Sequence, residues 1–224
     1  MAIDVETKDC TALGDAELEE LGNICADGPA QYDIGLLSKQ RDEWVLITQA
    51  RSNGVLQGFS FCTLERIGGT PAVLIGLASV KRTAKRQEAL KAMMGDQLRR
   101  AVLAFPDEDV LIGTRFVDAS GFEAFNAFLK LNEVCPRPGH KPSGEDRAWG
   151  RRLAKRFGVD NDYDERAFIS RGDGAPACVL DHESAKPDKI DKDVKALFKD
   201  IKGANGDSLI AFAWAMAEDL APLA

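Results

Sequence analysis

The stretch PAVLIGLASVKRTAKR, residues 71–86, decides the fold of this chain. Its first ten residues are almost wholly apolar, which is typical of a strand that is buried on both faces. Four of the six residues 81–86 are cationic, and they precede a helix predicted over residues 84–104 with Thr83 as its N-cap. Backbone N–H groups at a helix start lack internal partners, so this turn can attract a phosphate, although a solvated loop has the same composition.

Three antiparallel strands are predicted around this unit, over residues 44–51, 55–66 and 71–79. Asn53-Gly54 and Gly68-Gly69 supply the tight turns between them. A weak alternation at residues 3–10 predicts an earlier strand, and Asp15 is expected to cap a first helix. After the long helix, residues 110–114 predict a short buried strand. A strand, a helix and a second buried strand imply a right-handed parallel crossover.

The second half of the chain predicts a series of shorter elements. Ser120 and Glu123 fit a capping box for a phenylalanine-rich helix over residues 120–131. Further on we expect a basic helix (146–157), two short strands (166–170 and 177–181), a charged helix (188–201) and a helix that is apolar on nearly every side (208–220). The predicted fold is α/β with a mixed sheet, made of one domain over residues 1–182 and a helical C-terminal extension over residues 183–224.

Composition excludes several classes of function. The net charge of −7 and the pI of about 5.0 argue against nucleic-acid binding. The five cysteines are odd in number and contain no CxxC pair, which is typical of reduced thiols in a cytoplasmic protein. The sequence has neither a signal-peptide pattern nor an apolar run of membrane-spanning length, so we expect a cytoplasmic protein with no membrane partner.

The order of these elements resembles the GNAT-type N-acyltransferase superfamily, with this chain as a divergent member over roughly residues 3–181. The resemblance implies a twisted sheet flanked by helices, and acetyl-CoA or another acyl-CoA as co-substrate for an amine-bearing acceptor. Members of that family hold the coenzyme pyrophosphate on a turn of the pattern Arg/Gln-x-x-Gly-x-Gly/Ala. The matching turn here runs from Arg82 to Gln87, with Lys85 at the first glycine position and Gln87 at the last small position.

The same resemblance implies a set of site residues. The pantetheine arm would lie along the strand that precedes the basic turn, whose N–H groups would polarise the thioester carbonyl. Glu65 is the candidate catalytic base, unless it is simply a surface residue at a strand end. Many family members carry a thiolate-protonating tyrosine in the helix predicted here over residues 120–131, and this chain has none there. The implied cofactor-binding residues are Leu77, Ala78, Val80, Arg82, Ala84, Lys85, Arg86 and Asn126.

Two other functions remain open. The missing glycines, the missing tyrosine and the apolar C-terminal helix also fit a catalytically silent GNAT-like binding or assembly module, with a homodimer contact through that helix. Cys135-x4-His140 and Cys178-x3-His182 form either a Cys2His2 zinc site or a chance arrangement. The leading interpretation, an acyl-CoA-dependent N-acyltransferase, assigns no metal.

Overall fold

The computed structural model describes residues 3–26, 28, 32–129, 134–187 and 189–220. The strands of this part form one eight-stranded mixed sheet. In chain order the elements are β1 (Asp4–Asp9), α1 (Asp15–Cys25), α2 (Ile34–Glu43), β2 (Leu46–Ser52), β3 (Val55–Ile67), β4 (Thr70–Val80), α3 (Arg86–Ala104), β5 (Val110–Phe116), α4 (Ala119–Leu129), α5 (Gly144–Arg156), β6 (Tyr163–Asp164), β7 (Ile169–Ser170), α6 (Lys192–Leu197), β8 (Ser208–Ala215) and α7 (Ala217–Leu220).

The sheet order is β1-β2-β3-β4-β5-β8-β7-β6. Strands β2, β3 and β4 are antiparallel neighbours, as the tight turns require. Strand β1 pairs antiparallel with β2, and β4 pairs with β5 in parallel. The predicted mixed α/β sheet, the hairpins around Asn53-Gly54 and Gly68-Gly69, and the parallel crossover through α3 are therefore confirmed. The sheet continues beyond β5 because β8 pairs antiparallel with it along its whole length.

Helices cover both faces of the β1–β4 half. Phe59 and Phe61 lie in a buried cluster with side chains of α1 and α2. Ser60, between them, points the other way and accepts a hydrogen bond from Gln97 of α3 at 3.1 Å. Because β4 runs between these two layers, every residue from Pro71 to Val80 is buried on one face or the other. This explains its almost wholly apolar sequence.

The C-terminal prediction of a helix over residues 208–220 is wrong for most of its length. Residues Ser208–Ala215 form strand β8, which lies inside the sheet between β5 and β7. Both faces of β8 are covered, so its apolar residues do not alternate with polar ones, and such a run also fits a buried helix. Apolar side chains of this stretch, such as Ile210 and Phe212, are buried in the core of their own chain, which is one of the two ways in which the apolar run could be covered.

Several other boundaries differ from the predicted ones. The second hairpin pairs β6 with β7, and residues 177–181 are irregular rather than a strand. Asp118, rather than Ser120, caps α4, because its carboxylate accepts the Ser120 N–H at 2.8 Å. Helix α3 begins at Arg86 with Lys85 as its N-cap, and the hydroxyl of Thr83, two residues before Lys85, accepts the Lys85 N–H.

The predicted helix over 188–201 is reduced to the short helix α6. Residues 130 and 131, at the end of the predicted phenylalanine-rich helix, lie outside the described residues. Within the described ranges, no helix combines the length and the apolar character needed to cross a membrane.

We predict that Gly76→Ala destabilises the fold. A Cβ atom at Gly76 would lie 2.3 Å from the Trp44 ring, and such overpacking typically costs about 1–3 kcal/mol of unfolding free energy. Urea denaturation measures the change. Gly95→Ala is the matched control, because no atom lies within 4 Å of the added Cβ in α3 and alanine favours a helix by about 1 kcal/mol. Equal effects of the two substitutions would contradict this packing.

Candidate functional site

Strands β4 and β5 diverge at the centre of the sheet. They pair only from Ala72 to Ile75 on β4 and from Leu111 to Thr114 on β5. At the last pair the Thr114 hydroxyl donates to the Ile75 carbonyl at 3.0 Å. Strand β4 continues to Val80 and β5 to Phe116, but these described ends of the two strands form no further ladder pair with each other. The divergence opens a cleft along the end of β4, where the resemblance places the pantetheine arm.

The chain's own residues 177–185, here called the closing segment, occupy this cleft. The Asp181 N–H donates to the Ala78 carbonyl at 2.8 Å, and the Ser184 hydroxyl accepts the Val80 N–H at 3.2 Å. The Ser79 hydroxyl donates to the Asp181 carboxylate at 3.2 Å. Four residues of the segment besides Asp181 are buried, namely Val179, Leu180, Ser184 and Ala185. The predicted cofactor-binding residues Leu77, Ala78 and Val80 are therefore covered by protein.

The basic turn lies next to the closing segment. Arg82 forms an ion pair with Glu183 at 3.1 Å and lies 3.8 Å from the carboxylate of Asp181. Ala84 is exposed, while Lys85 and Arg86 are half-buried at the start of α3. The structure thus brings all the predicted residues of the strand end and the turn to one end of β4. Two carboxylates stand beside Arg82, where a pyrophosphate is expected.

Asn126 of α4 has a buried polar atom that no described residue partners. Its Oδ1 makes no hydrogen bond to the described part of the chain. Buried carbonyl oxygens are nearly always paired in folded proteins, so this atom needs a donor beyond those that the described residues supply. From the resemblance we expect the pantetheine arm to contact an asparagine of this helix, and an amide N–H of that arm is such a donor.

Glu65 does not lie with the other candidates. It pairs with Ala72 across the β3–β4 ladder. Ala72 precedes Ala78 by six residues on β4, and six strand residues span about 20 Å. Its carboxylate forms an ion pair with Arg156 at 2.6 Å. An ion-paired carboxylate at the far end of β4 is poorly placed to accept a proton in the cleft.

Two cavities adjoin the chain that leads into the closing segment, and the sequence pointed to neither. A cavity of about 670 Å³ is lined by α2, Arg115 and residues 170–178, and one of about 510 Å³ is lined by Asp118, His182 and Tyr32. Pro176 and Ala177 border both cavities. The residues that line these cavities come from distant parts of the chain, so no local sequence motif predicts them.

Arg115 fixes the start of the closing segment. Its guanidinium donates to the Ala177 carbonyl at 2.6 Å and lies 5.5 Å from the centre of the Phe157 ring. Burial lowers the pKa of this guanidinium, but arginine remains charged at neutral pH. The next residue, Cys178, has a φ of 49°, a backbone conformation that residues other than glycine seldom adopt. The segment therefore enters the cleft through a sharply defined bend.

Asp207 holds the turn that precedes this bend. Its carboxylate pairs with Arg171 at 2.9 Å and accepts the N–H groups of Gly172 at 3.0 Å and Lys202 at 3.2 Å. Burial raises the cost of ionising Asp207, but the hydrogen bonds from Gly172, Arg171 and Lys202 outweigh it and lower the pKa to about 2. The ionised carboxylate thus joins residues 171–172 to residue 202.

The structure does not assemble the predicted Cys2His2 site. Cys135 and His140 lie together with Asp146. Cys178 instead donates to the Pro176 carbonyl at 3.5 Å, and His182 lies beside Gly121. Within the described ranges, Cys178 and His182 join no group of three metal-ligating side chains.

Comparison with known proteins gives a structural likeness only. No family model and no curated protein matches this chain in sequence. The ribosomal-protein-S18-alanine N-acetyltransferase from Escherichia coli is similar with a TM-score of 0.43 and 14% identity, over 63% of this chain and 86% of that one. An acyl-CoA N-acyltransferase from Pseudomonas aeruginosa gives a TM-score of 0.41 and 18% identity, over 61% of this chain and 93% of that one. An aminoglycoside N-acetyltransferase in complex with CoA gives a TM-score of 0.36 and 14% identity, over 46% of this chain and 72% of that one.

We predict that Asp207→Asn lowers the free energy of unfolding at pH 7 by about 2 kcal/mol, because a buried charged acceptor is lost. The pKa of Asp207 is about 2 in the folded chain and 3.8 ordinarily. Its carboxylate therefore stabilises the fold above about pH 4, and this stabilisation is lost as the pH falls towards about 2. Urea denaturation between pH 7 and pH 2 measures both effects.

The matched control is Asp200→Asn, since that side chain is 64% exposed. We expect this variant to keep the pH dependence of the unmodified protein, whereas Asp207→Asn flattens it between pH 4 and pH 2. Identical profiles for Asp207→Asn and the unmodified protein would contradict the role assigned to Asp207.

Proposed function

We propose that this chain is a GNAT-type N-acyltransferase that transfers an acetyl or other acyl group from acyl-coenzyme A to an amine. The single observation that carries the proposal is the divergence of β4 from β5 directly before the basic turn. It leaves one edge of residues 76–80 unpaired by a strand, at the place where the resemblance requires a thioester to bind.

The reaction proposed for this cleft is direct transfer. The amine nitrogen attacks the thioester carbon, a C–N bond forms, and the C–S bond breaks to release the coenzyme thiolate. The amine loses a proton and the thiolate gains one, so the net reaction consumes no proton. Backbone N–H groups near Val80 would stabilise the carbonyl oxygen as it gains negative charge. Arg86 and the first N–H groups of α3 would bind the pyrophosphate.

Acyl-coenzyme A binding in this proposal requires the closing segment to leave the cleft. The Ala78 carbonyl and the Val80 N–H are bonded to Asp181 and Ser184 in this structure, so a pantetheine arm has to replace both contacts. The carboxylate of Glu183 likewise has to release Arg82. We therefore expect the affinity for acyl-coenzyme A to reflect the cost of displacing the segment.

A second candidate is the catalytically silent binding module, and the burial of the closing segment favours it. Opening the cleft exposes Val179 and Leu180, which are nearly inaccessible to solvent. If that cost exceeds the binding energy of the coenzyme, the cleft stays closed and the domain retains only its surfaces and outer cavities for recognition. The two candidates predict opposite results in one titration.

We predict that acetyl-coenzyme A binds the purified protein and that Arg86→Ala weakens binding about tenfold, because one charged contact to phosphate is worth about 1.4 kcal/mol. Isothermal titration calorimetry measures the affinity. Lys91→Ala is the control for general charge effects, since Lys91 is an exposed residue further along α3.

Glu183→Ala separates the two candidates. Removing this carboxylate frees Arg82 and weakens the closing segment, so the N-acyltransferase proposal predicts tighter binding of acetyl-coenzyme A. Glu6→Ala, on the exposed side of β1, controls for the change in net charge. Absence of binding in both the unmodified protein and Glu183→Ala would exclude the acyltransferase and leave the silent module.

A further inference from the structure

Three side chains with metal-binding atoms meet outside the cleft. They are Cys135 and His140, in the loop between α4 and α5, and Asp146, in the first turn of α5. The thiol sulfur, an imidazole nitrogen and a carboxylate oxygen all lie within 4.8 Å of one another. Neither the sheet nor the cleft requires this combination of residue types.

The backbone holds the first two of these side chains in place. Cys135 forms an isolated bridge with Phe212 of β8, through N–H···O bonds of 2.8 and 2.9 Å, which fixes the thiol at a buried edge of the sheet. Gly139, with a φ of 73°, then turns the chain back. The turn closes with a hydrogen bond from the His140 N–H to the Arg137 carbonyl at 3.2 Å.

The third side chain is fixed by the helix cap. The Asp146 Oδ2 accepts the Ser143 N–H at 2.7 Å and lies 3.2 Å from His140 Nε2. The cap contact and the contact with His140 together hold the carboxylate beside the imidazole.

We propose that Cys135, His140 and Asp146 bind one Zn²⁺ ion, with water as the fourth ligand. A thiolate, an imidazole and a carboxylate form a donor set that suits zinc and does not suit Mg²⁺ or Ca²⁺. Ligand atoms of a tetrahedral zinc site lie about 3.3–3.8 Å apart, so small side-chain rotations complete the site. The Cys135 thiol releases its proton to solvent as the S–Zn bond forms.

Access and packing fit this proposal. The side chains of His140 and Asp146 are 29% and 23% exposed, so an ion can enter from solvent and keep a bound water. Helix α5 packs on β8 through Trp149 and Trp214, whose ring centres lie 5.6 Å apart. A bound zinc ion would therefore tie the loop before α5 to both the helix and the sheet. The site is independent of the proposed acyl transfer.

The test uses the full chain after removal of metal with a chelator. Zinc is titrated in competition with a chromogenic chelator, and cobalt is used as a spectroscopic substitute. We expect one equivalent of zinc, a thiolate-to-cobalt charge-transfer band, and zinc affinity weakened about tenfold or more by Cys135→Ser, His140→Ala and Asp146→Asn. The charge-transfer band should disappear in Cys135→Ser, because no thiolate remains.

Two controls make the result decisive. Cys178→Ser removes a half-buried thiol outside the cluster and should leave zinc affinity unchanged. Asp146→Asn keeps an oxygen acceptor for the Ser143 N–H, so zinc binding should weaken while the far-UV circular dichroism of the metal-free variant still shows a folded protein. Failure of the unmodified protein to take up zinc, or equal affinity in Cys135→Ser, would overturn the proposal.

Discussion

The backbone groups at the end of β4 need hydrogen-bond partners because they are buried, and β5 supplies none beyond Ile75. The chain meets this requirement with its own residues 177–185, through the Asp181 N–H and the Ser184 hydroxyl. Strand β8 meets the corresponding requirement on the other edge of β5. The second half of the chain therefore returns to the centre of the sheet twice, once to pair with the end of β4 and once to pair with β5.

The closing segment matches the end of β4 in both polarity and charge. It offers a donor and an acceptor to the strand, and it places two carboxylates beside Arg82. The Arg82–Glu183 pair is 30% and 50% exposed, so it contributes at most about 1 kcal/mol. The buried residues Val179 and Leu180 and the two hydrogen bonds to β4 therefore hold the segment in place. The choice between an enzyme and a silent module depends on the free energy needed to displace this segment from β4.

Sequence patterns predicted the parts of the fold that depend on local signals. The hairpins follow from Asn53-Gly54 and Gly68-Gly69, and the β4–α3–β5 crossover follows from two apolar runs around an amphipathic helix. Strand β8 was missed because a strand buried on both faces loses the alternation that distinguishes it from a buried helix. The closing segment was missed because its bond partners, such as Ser79 and Asp181, lie 102 residues apart. The resemblance predicted cofactor-binding residues on β4 and the basic turn, and these lie together at one end of β4. Glu65, its predicted base, lies towards the other end of that strand.

Amide hydrogen exchange with and without acetyl-coenzyme A tests the closing segment most directly. In the free protein, the amides of Asp181 and Val80 should be protected, because each donates a buried hydrogen bond. On coenzyme binding we expect the Asp181 amide and its neighbours in residues 177–185 to lose protection, while Val80 stays protected by its new partner. Unchanged or increased protection of residues 177–185 in the presence of bound coenzyme would contradict the assignment of this cleft.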